Sequence, residues 1–302
     1  MVEAYKEILR GPNRPKIAIV LGSGGIRPFA AVELFSFLEE AEIPIDLLVG
    51  CSGGAIASTL KSLGLTTAEM KHILQTFVRP EMFSKVNYRT ILDMIGITVG
   101  GITENSSLLD PTLFKKAMYD LTGDRTFEDF TIKTIVQATD VLTGKGVILT
   151  SGSIVESIYA SSAIIPFFPP ILLNGSWLAD GAFSAPLPIL EAVTRDVDII
   201  IAMDFGEKVA AQPETLMDYY STFTSRCYQN INYLQNSLAT DLHHYEIIFI
   251  PVHFDMVIPM WKTDALPTIY TKGKEAVDAV KSHIIEAIEY FPYRAVSDWE
   301  QL

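Results

Sequence analysis

The sequence is poor in cysteine, histidine and positive charge, and each shortage excludes something. Two cysteines in 302 residues, Cys51 and Cys227, are too few and too far apart for a disulfide framework or a metal-ligand spacing. A reduced, cytoplasmic chain without a metal centre is the expectation. Lysine and arginine number 23 against 36 aspartates and glutamates, a formal charge of -13 that repels phosphate backbones and excludes nucleic acid as a partner. The same excess disfavours charge-driven adsorption to anionic lipid, so any membrane contact, peripheral and transient, has to be local and hydrophobic. No apolar run reaches the roughly 18 residues of a membrane span. The best candidate, ILDMIGITVGGIT at 91–103, contains Asp93 and reads as a buried element or a hydrophobic flap. The opening MVEAYKEILRGPNRPK has no apolar core of signal-peptide length. Internal repeats, low-complexity tracts and linkers are also missing, which favours one domain over 1–302 with a core at about 16–290.

Strand and helix signals alternate. IAIVL at 17–21 is a short, continuous apolar run of the kind found in fully buried strands, followed by GSGGIRP and the helical face of AAVELFSFLEE. IDLLVG and GGAIASTLKSLG repeat the pattern, and two successive βα units argue for an α/β fold with a parallel sheet. Residues 66–130 carry mainly helical patterns and read as a helical insertion. Strand signals return in KTIVQATD, KGVILTS, SWLADGAF and VDIIIAMD. Between Glu214 and His243, Leu216, Tyr220, Phe223, Cys227, Ile231, Leu234, Leu238 and Leu242 recur at three- and four-residue steps, predicting one long amphipathic helix. IIFIPV predicts a strand, and KEAVDAVKSHIIEAIEYF a single C-terminal helix.

The glycine loop at 22–27, GSGGIR, stands where a dinucleotide fingerprint would. Arg27 replaces the third glycine, and no acidic residue ends the second strand to hold a ribose. No GK[ST] follows, which excludes a phosphate P-loop. Gly22, Gly24 and Gly25 can instead converge backbone N–H groups at a helix mouth, the arrangement that stabilises an oxyanion. GCSGG at 50–54 matches GxSxG between a strand and a helix, with Gly50, Gly53 and Gly54 around Ser52. Ser52 is therefore either a nucleophile on a sharp turn or a helix N-cap. In a parallel sheet the two loops lie on one edge. A serine nucleophile needs a base. Among the histidines only His253 follows directly on a strand pattern, whereas Asp180 in WLADGAF, before Gly181, ends a strand and is either a turn residue or a base whose pKa burial raises.

GSGGIR, GCSGG and ADGAF, in that order over roughly residues 16–290, resemble the oxyanion loop, nucleophile motif and aspartate motif of patatin-like phospholipases, serine acyl hydrolases with a Ser-Asp dyad. ATDVLTG, ASSAIIPFFPP and NINYLQN are also similar to the compact bacterial members. The resemblance implies a three-layer α/β/α sandwich with a mainly parallel sheet, Ser52 as nucleophile and Asp180 as base. It implies an oxyanion hole from the amides of Gly24, Gly25 and Ile26. Arg27 stands to orient the loop, meet a phosphate head group or form a surface or structural ion pair, the last being the ordinary role. Its substrates are lipid acyl esters, and it implies no cofactor. Gly22-Ser23 stands where many members carry an acidic residue, and Pro28 where glycine is frequent. Two alternatives remain open on the residues alone: an α/β-hydrolase triad through His253, and an inactive lipid-binding scaffold.

Overall fold

The computed structural model describes residues 4–77, 79–87, 103, 107–207, 214–260 and 262–297. Its strands are β1 (Ile17–Leu21), β2 (Leu47–Cys51), β3 (Lys133–Asp140), β4 (Gly146–Leu149), β5 (Ile171–Leu173), β6 (Ser176–Asp180), β7 (Ile199–Glu207) and β8 (Glu246–Phe254). The α-helices are α1 (Ala4–Arg10), α2 (Ala31–Glu40), α3 (Gly53–Ser62), α4 (Thr67–Phe77), α5 (Thr112–Thr122), α6 (Ile154–Ser162), α7 (Ile189–Val193), α8 (Leu216–Leu242), α9 (Leu266–Asp278) and α10 (Lys281–Ser297). Helices α4 and α5 fall in the segment expected to be a helical insertion, while the 91–103 stretch, except for Thr103, lies outside the described residues.

The strands form one sheet in the order β5-β6-β3-β2-β1-β7-β8, with β4 also on β3. From β3 to β8 along this path all pairings are parallel, and β4, β5 and β6 join antiparallel. Both central strands are buried on both faces, as their unbroken apolar runs require. Side chains alternate between two cores. Ile17, Ile19, Leu21 and Leu48 meet α2, α3, α9 and α10 on one face. Ala18, Val20, Leu47 and Val49 meet α7 and Ala239 of α8 on the other. The result is the expected α/β/α sandwich, with a thinner second layer.

Register on β3 decides where the site forms. Val136 and Gln137 pair with both β2 and β4, and Ala138 and Thr139 pair with both β4 and β6. Strands β2 and β6 therefore share the same edge of β3, opposite β4. Running in opposite senses, they end one residue apart along it, Cys51 beside Gln137 and Asp180 beside Ala138.

Helix α6 is started by Ser153 accepting from the Glu156 N–H and ends on Ser161 and Ser162. One expectation needs correction. The single C-terminal helix is two, because its apolar stripe serves two surfaces: α9 packs on α2 and residues 27–30, and α10 on α1. Gly273 of α9 makes the first contact close, since a Cβ there would stand 2.5 Å from the Ala30 carbonyl oxygen.

This yields a sign test. Alanine favours a helix interior over glycine by about 1 kcal/mol, yet in Gly273→Ala backbone faces backbone and neither can give way. We expect its melting temperature, followed by circular dichroism, to fall by several degrees. A rise would mean that helix propensity outweighs this packing.

Candidate active site

Strand β2 delivers Ser52 to the start of α3 with φ 54° and ψ -122°, a left-handed conformation that costs a non-glycine residue about 1–3 kcal/mol and persists only when its surroundings enforce it. Although Ser52 stands at the cap position, its hydroxyl bonds to no helix amide. It donates instead to Asp180 Oδ2 at 2.8 Å. The hydroxyl is thus paired with a carboxylate and does not cap the helix.

Asp180 is buried at the end of β6, and its other oxygen, Oδ1, accepts the Ala182 N–H at 2.9 Å. Burial pushes its carboxyl up to about 7, against the opposing pull of the Ala182 amide and the Ser52 hydroxyl. Burial, with the nearby Asp180 charge, also raises the Cys51 thiol well above its ordinary range, so Cys51 stays protonated beside the serine. Gly181 passes so close to β3 that a Cβ would stand 2.4 Å from the Gln137 carbonyl oxygen.

The glycine loop lies directly against the serine turn. A Cβ on Gly53 would fall 1.9 Å from the Gly25 carbonyl oxygen, and one on Gly54 would fall 2.4 Å from that of Leu21. Only glycines at 53 and 54 let α3 start this close to the loop. Gly22 donates its N–H to the Met203 carbonyl at 3.0 Å, and Ser23 to that of Pro186 at 2.7 Å. Arg27 Nε donates to the Gly24 carbonyl at 2.9 Å, pinning the loop from within. Among the described residues, the amides of Gly24, Gly25 and Ile26 have no hydrogen-bond acceptor. Gly50 closes the other side, with a Cβ position 2.6 Å from Ala55 Cα.

His253 is not brought to this pair. It lies on β8, three strands from β2, about 14 Å away at ordinary strand spacing, opposite Gly206 in the register.

Several contributors were not anticipated. Ser161 of α6 accepts the Ser52 N–H at 2.8 Å and donates to the Gln137 carbonyl at 2.6 Å, tying the turn to β3. Behind the glycine loop sits a second, half-buried acid, Asp204, whose carboxyl desolvation pushes up and whose Oδ1 accepts from Phe205 N–H and from Asn232. Asn232 of α8 also accepts the Leu187 N–H at 2.9 Å. Tyr220 and Tyr228 of α8 lie near enough for the Asp180 charge to raise their phenols, after burial.

Fold and paired side chains together define a class: an α/β protein whose serine rides a strand-to-helix turn beside a buried acid. Residues 19–193 match the family model of patatin-like phospholipases, and the chain belongs to that family. An uncharacterized NTE family protein of Mycobacterium tuberculosis is 30% identical over 200 residues, covering 66% of this chain and 51% of that protein. Lysophospholipase NTE1 of Debaryomyces hansenii is 29% identical over 230 residues, covering 74% of this chain and 14% of that protein. The chain thus spans about half the length of the mycobacterial relative and far less of the other. Human GIVD cytosolic phospholipase A2, in complex with methyl gamma-linolenyl fluorophosphonate, shares the fold at a TM-score of 0.58 and 11% identity, over 97% of this chain and 62% of that one.

The raised Asp180 carboxyl has a consequence for stability. Its folded value of about 7 exceeds the ordinary 3.8, so between these limits the folded chain holds a proton that the unfolded chain releases. Its contribution is complete below about pH 4 and is lost as pH rises through about 7. The melting temperature of Asp180→Asn minus that of the unaltered protein should therefore climb from pH 4 to about 7 and level off above. A flat difference would place the carboxyl in its ordinary range.

Proposed function

We propose that the protein is a serine acyl hydrolase that cleaves fatty-acyl esters of phospholipids, lysophospholipids or related lipids through a Ser52-Asp180 dyad. The observation that carries this reading is the 2.8 Å hydrogen bond from the Ser52 hydroxyl to a buried carboxylate. Family membership and the lysophospholipase name of one relative support lipid esters as the substrate class.

In the first step Ser52 Oγ attacks the acyl carbonyl while its proton passes to Asp180 Oδ2. The carbonyl oxygen becomes an oxyanion facing the amides of Gly24, Gly25 and Ile26, which have no competing acceptor among the described residues. Collapse of the tetrahedral intermediate breaks the ester C–O bond, and the alcohol leaves with the proton held by Asp180. Water then attacks the acyl-serine while passing a proton to Asp180, and collapse breaks the acyl C–Oγ bond, with Asp180 returning that proton to Ser52 Oγ as the fatty acid leaves. An aspartate at its ordinary pKa would be a weak base, and desolvation brings this one toward neutrality, where proton acceptance is effective. Transient contact with a lipid surface would supply the substrate, and the reading needs no cofactor.

The test is hydrolysis of a panel of acyl esters and lysophospholipids of graded chain length. Ser52→Ala and Asp180→Asn should each lose at least about 10³-fold in kcat, and His253→Ala should stay within about threefold. Because Asp180 must be ionised to act as base, kcat/KM should rise with pH through an apparent pKa near 7. Activity that survives in Ser52→Ala, or collapses only in His253→Ala, would discard the dyad.

A further inference from the structure

Helix α8 is built the wrong way round for a surface helix. Its inward side carries polar groups: Asn232 bonds the Leu187 amide and Asp204, and Gln235 donates to the Ser184 carbonyl at 3.0 Å. Tyr220, Tyr228 and Ala239 also face the fold, but most of its large apolar residues point out. Leu216 is 86% exposed, Tyr219 65%, Phe223 63%, Leu234 67%, Leu238 46% and Leu242 50%. At about 100° per residue these six fall within roughly 140° of arc, one continuous stripe along the helix, with the exposed Tyr233 flanking it. A monomer gains nothing from presenting so many large side chains to water in one line.

Their spacing identifies the occupant. About a point midway between Tyr228 and Gln229, Tyr219 mirrors Leu238 and Phe223 mirrors Leu234, and the pair Leu216 and Leu242 is centred within half a residue of it. Cys227 and Asn230, also on the stripe, mirror each other across the same point. A stripe symmetric about its own midpoint is complementary to itself when a second helix runs antiparallel to it, which is what a twofold axis through the midpoint produces. We infer that the protein forms an isologous homodimer through α8, with Phe223 of each copy against Leu234 of the other and Asn230 near the dyad fixing the register.

Electrostatics and size agree. The chain carries -13, so two copies repel over most of their surfaces, yet α8 has only Asp218, Arg226 and Asp241 among its 27 residues. Contact along this helix brings few charges together. Its 27 residues span about 40 Å. With side chains about 12 Å across, the strip projects roughly 500 Å² per copy, which corrugation raises toward the ~800 Å² of a standard interface. A bilayer fits less well. The helix runs from the site-bearing edge of the sheet, where Tyr220 bonds the Ile165 carbonyl, to the opposite edge, where His243 Nε2 meets the Asp198 carbonyl. A membrane laid along the stripe would run the full height of the sheet, not across the edge that bears Ser52.

Sedimentation equilibrium on the intact chain between about 1 and 100 µM decides the matter. The unaltered protein should sediment at twice the mass of the chain, with a dissociation constant that falls as salt screens the repulsion. Leu234→Glu combined with Leu238→Glu should weaken association at least about 100-fold and leave hydrolysis of a water-soluble ester unchanged. Both positions are already exposed, so the circular dichroism spectrum should not move. In a Cys227→Ser background, Phe223→Cys together with Leu234→Cys should form interchain 223–234 disulfides on oxidation. A monomer at every concentration would overturn the inference, as would a dimer indifferent to the glutamates or cross-linked 223 to 223. A monomer that instead pellets with phosphatidylcholine vesicles through this stripe would assign it to lipid and overturn the dimer.

Discussion

The arrangement of the site depends on two strands meeting head to head on a third. Strand β2 climbs β3 and stops opposite Gln137, and β6 descends the same edge and stops opposite Ala138. Strand ends held by backbone ladders leave little freedom to the side chains that follow. A one-residue slip of β6 would move Asp180 by about 3.3 Å and turn it to the other face of the sheet. The 2.8 Å contact between Ser52 and Asp180 is thus a product of main-chain register, and the supporting contacts read as devices that hold it. Ser161 locks the turn to Gln137, and Gly181 lets β6 leave β3 without a side chain in the way.

Two features of this contact oppose folding. Ser52 is held in a strained conformation, and the Asp180 carboxyl is withdrawn from water with the Ala182 amide and a hydroxyl as compensation. Both are offset by their surroundings: β1 and β2 are buried along their whole length, and α3 packs through Ala55, Ile56, Ala57 and Leu60. The same withdrawal brings the carboxyl toward neutrality, so the property that strains the fold is the one its proposed role as base requires.

Much of this was legible because it is local. IAIVL and KTIVQATD announce β1 and β3 within their own residues, and GSGGIR, GCSGG and ADGAF mark Ser52, Asp180 and the amide loop from the glycines that close backbone approach demands. What was not legible is long-range. Ser161 acts on a backbone amide 109 residues away, and nothing in ASSAII distinguishes that serine from its neighbour Ser162. The division of the C-terminal helix follows from two separate packing partners, which periodicity within one segment cannot reveal. Nor could composition show that β6 enters antiparallel, the reversal on which the meeting of serine and aspartate rests.

Helix α8 shows how far periodicity can mislead about direction. A stripe at three- and four-residue steps identifies a helix with an apolar side, but not which way that side faces. Here the interior had another claim on the helix. Asn232 satisfies the buried Leu187 amide and reaches Asp204 behind the glycine loop, and Gln235 satisfies Ser184, so polar residues had to face inward. With that side committed to the loop's support, the leucines, Tyr219 and Phe223 were left facing outward. The outward stripe and the inward network are two sides of one constraint: the helix that steadies the glycine loop cannot also bury its own apolar face within the same chain.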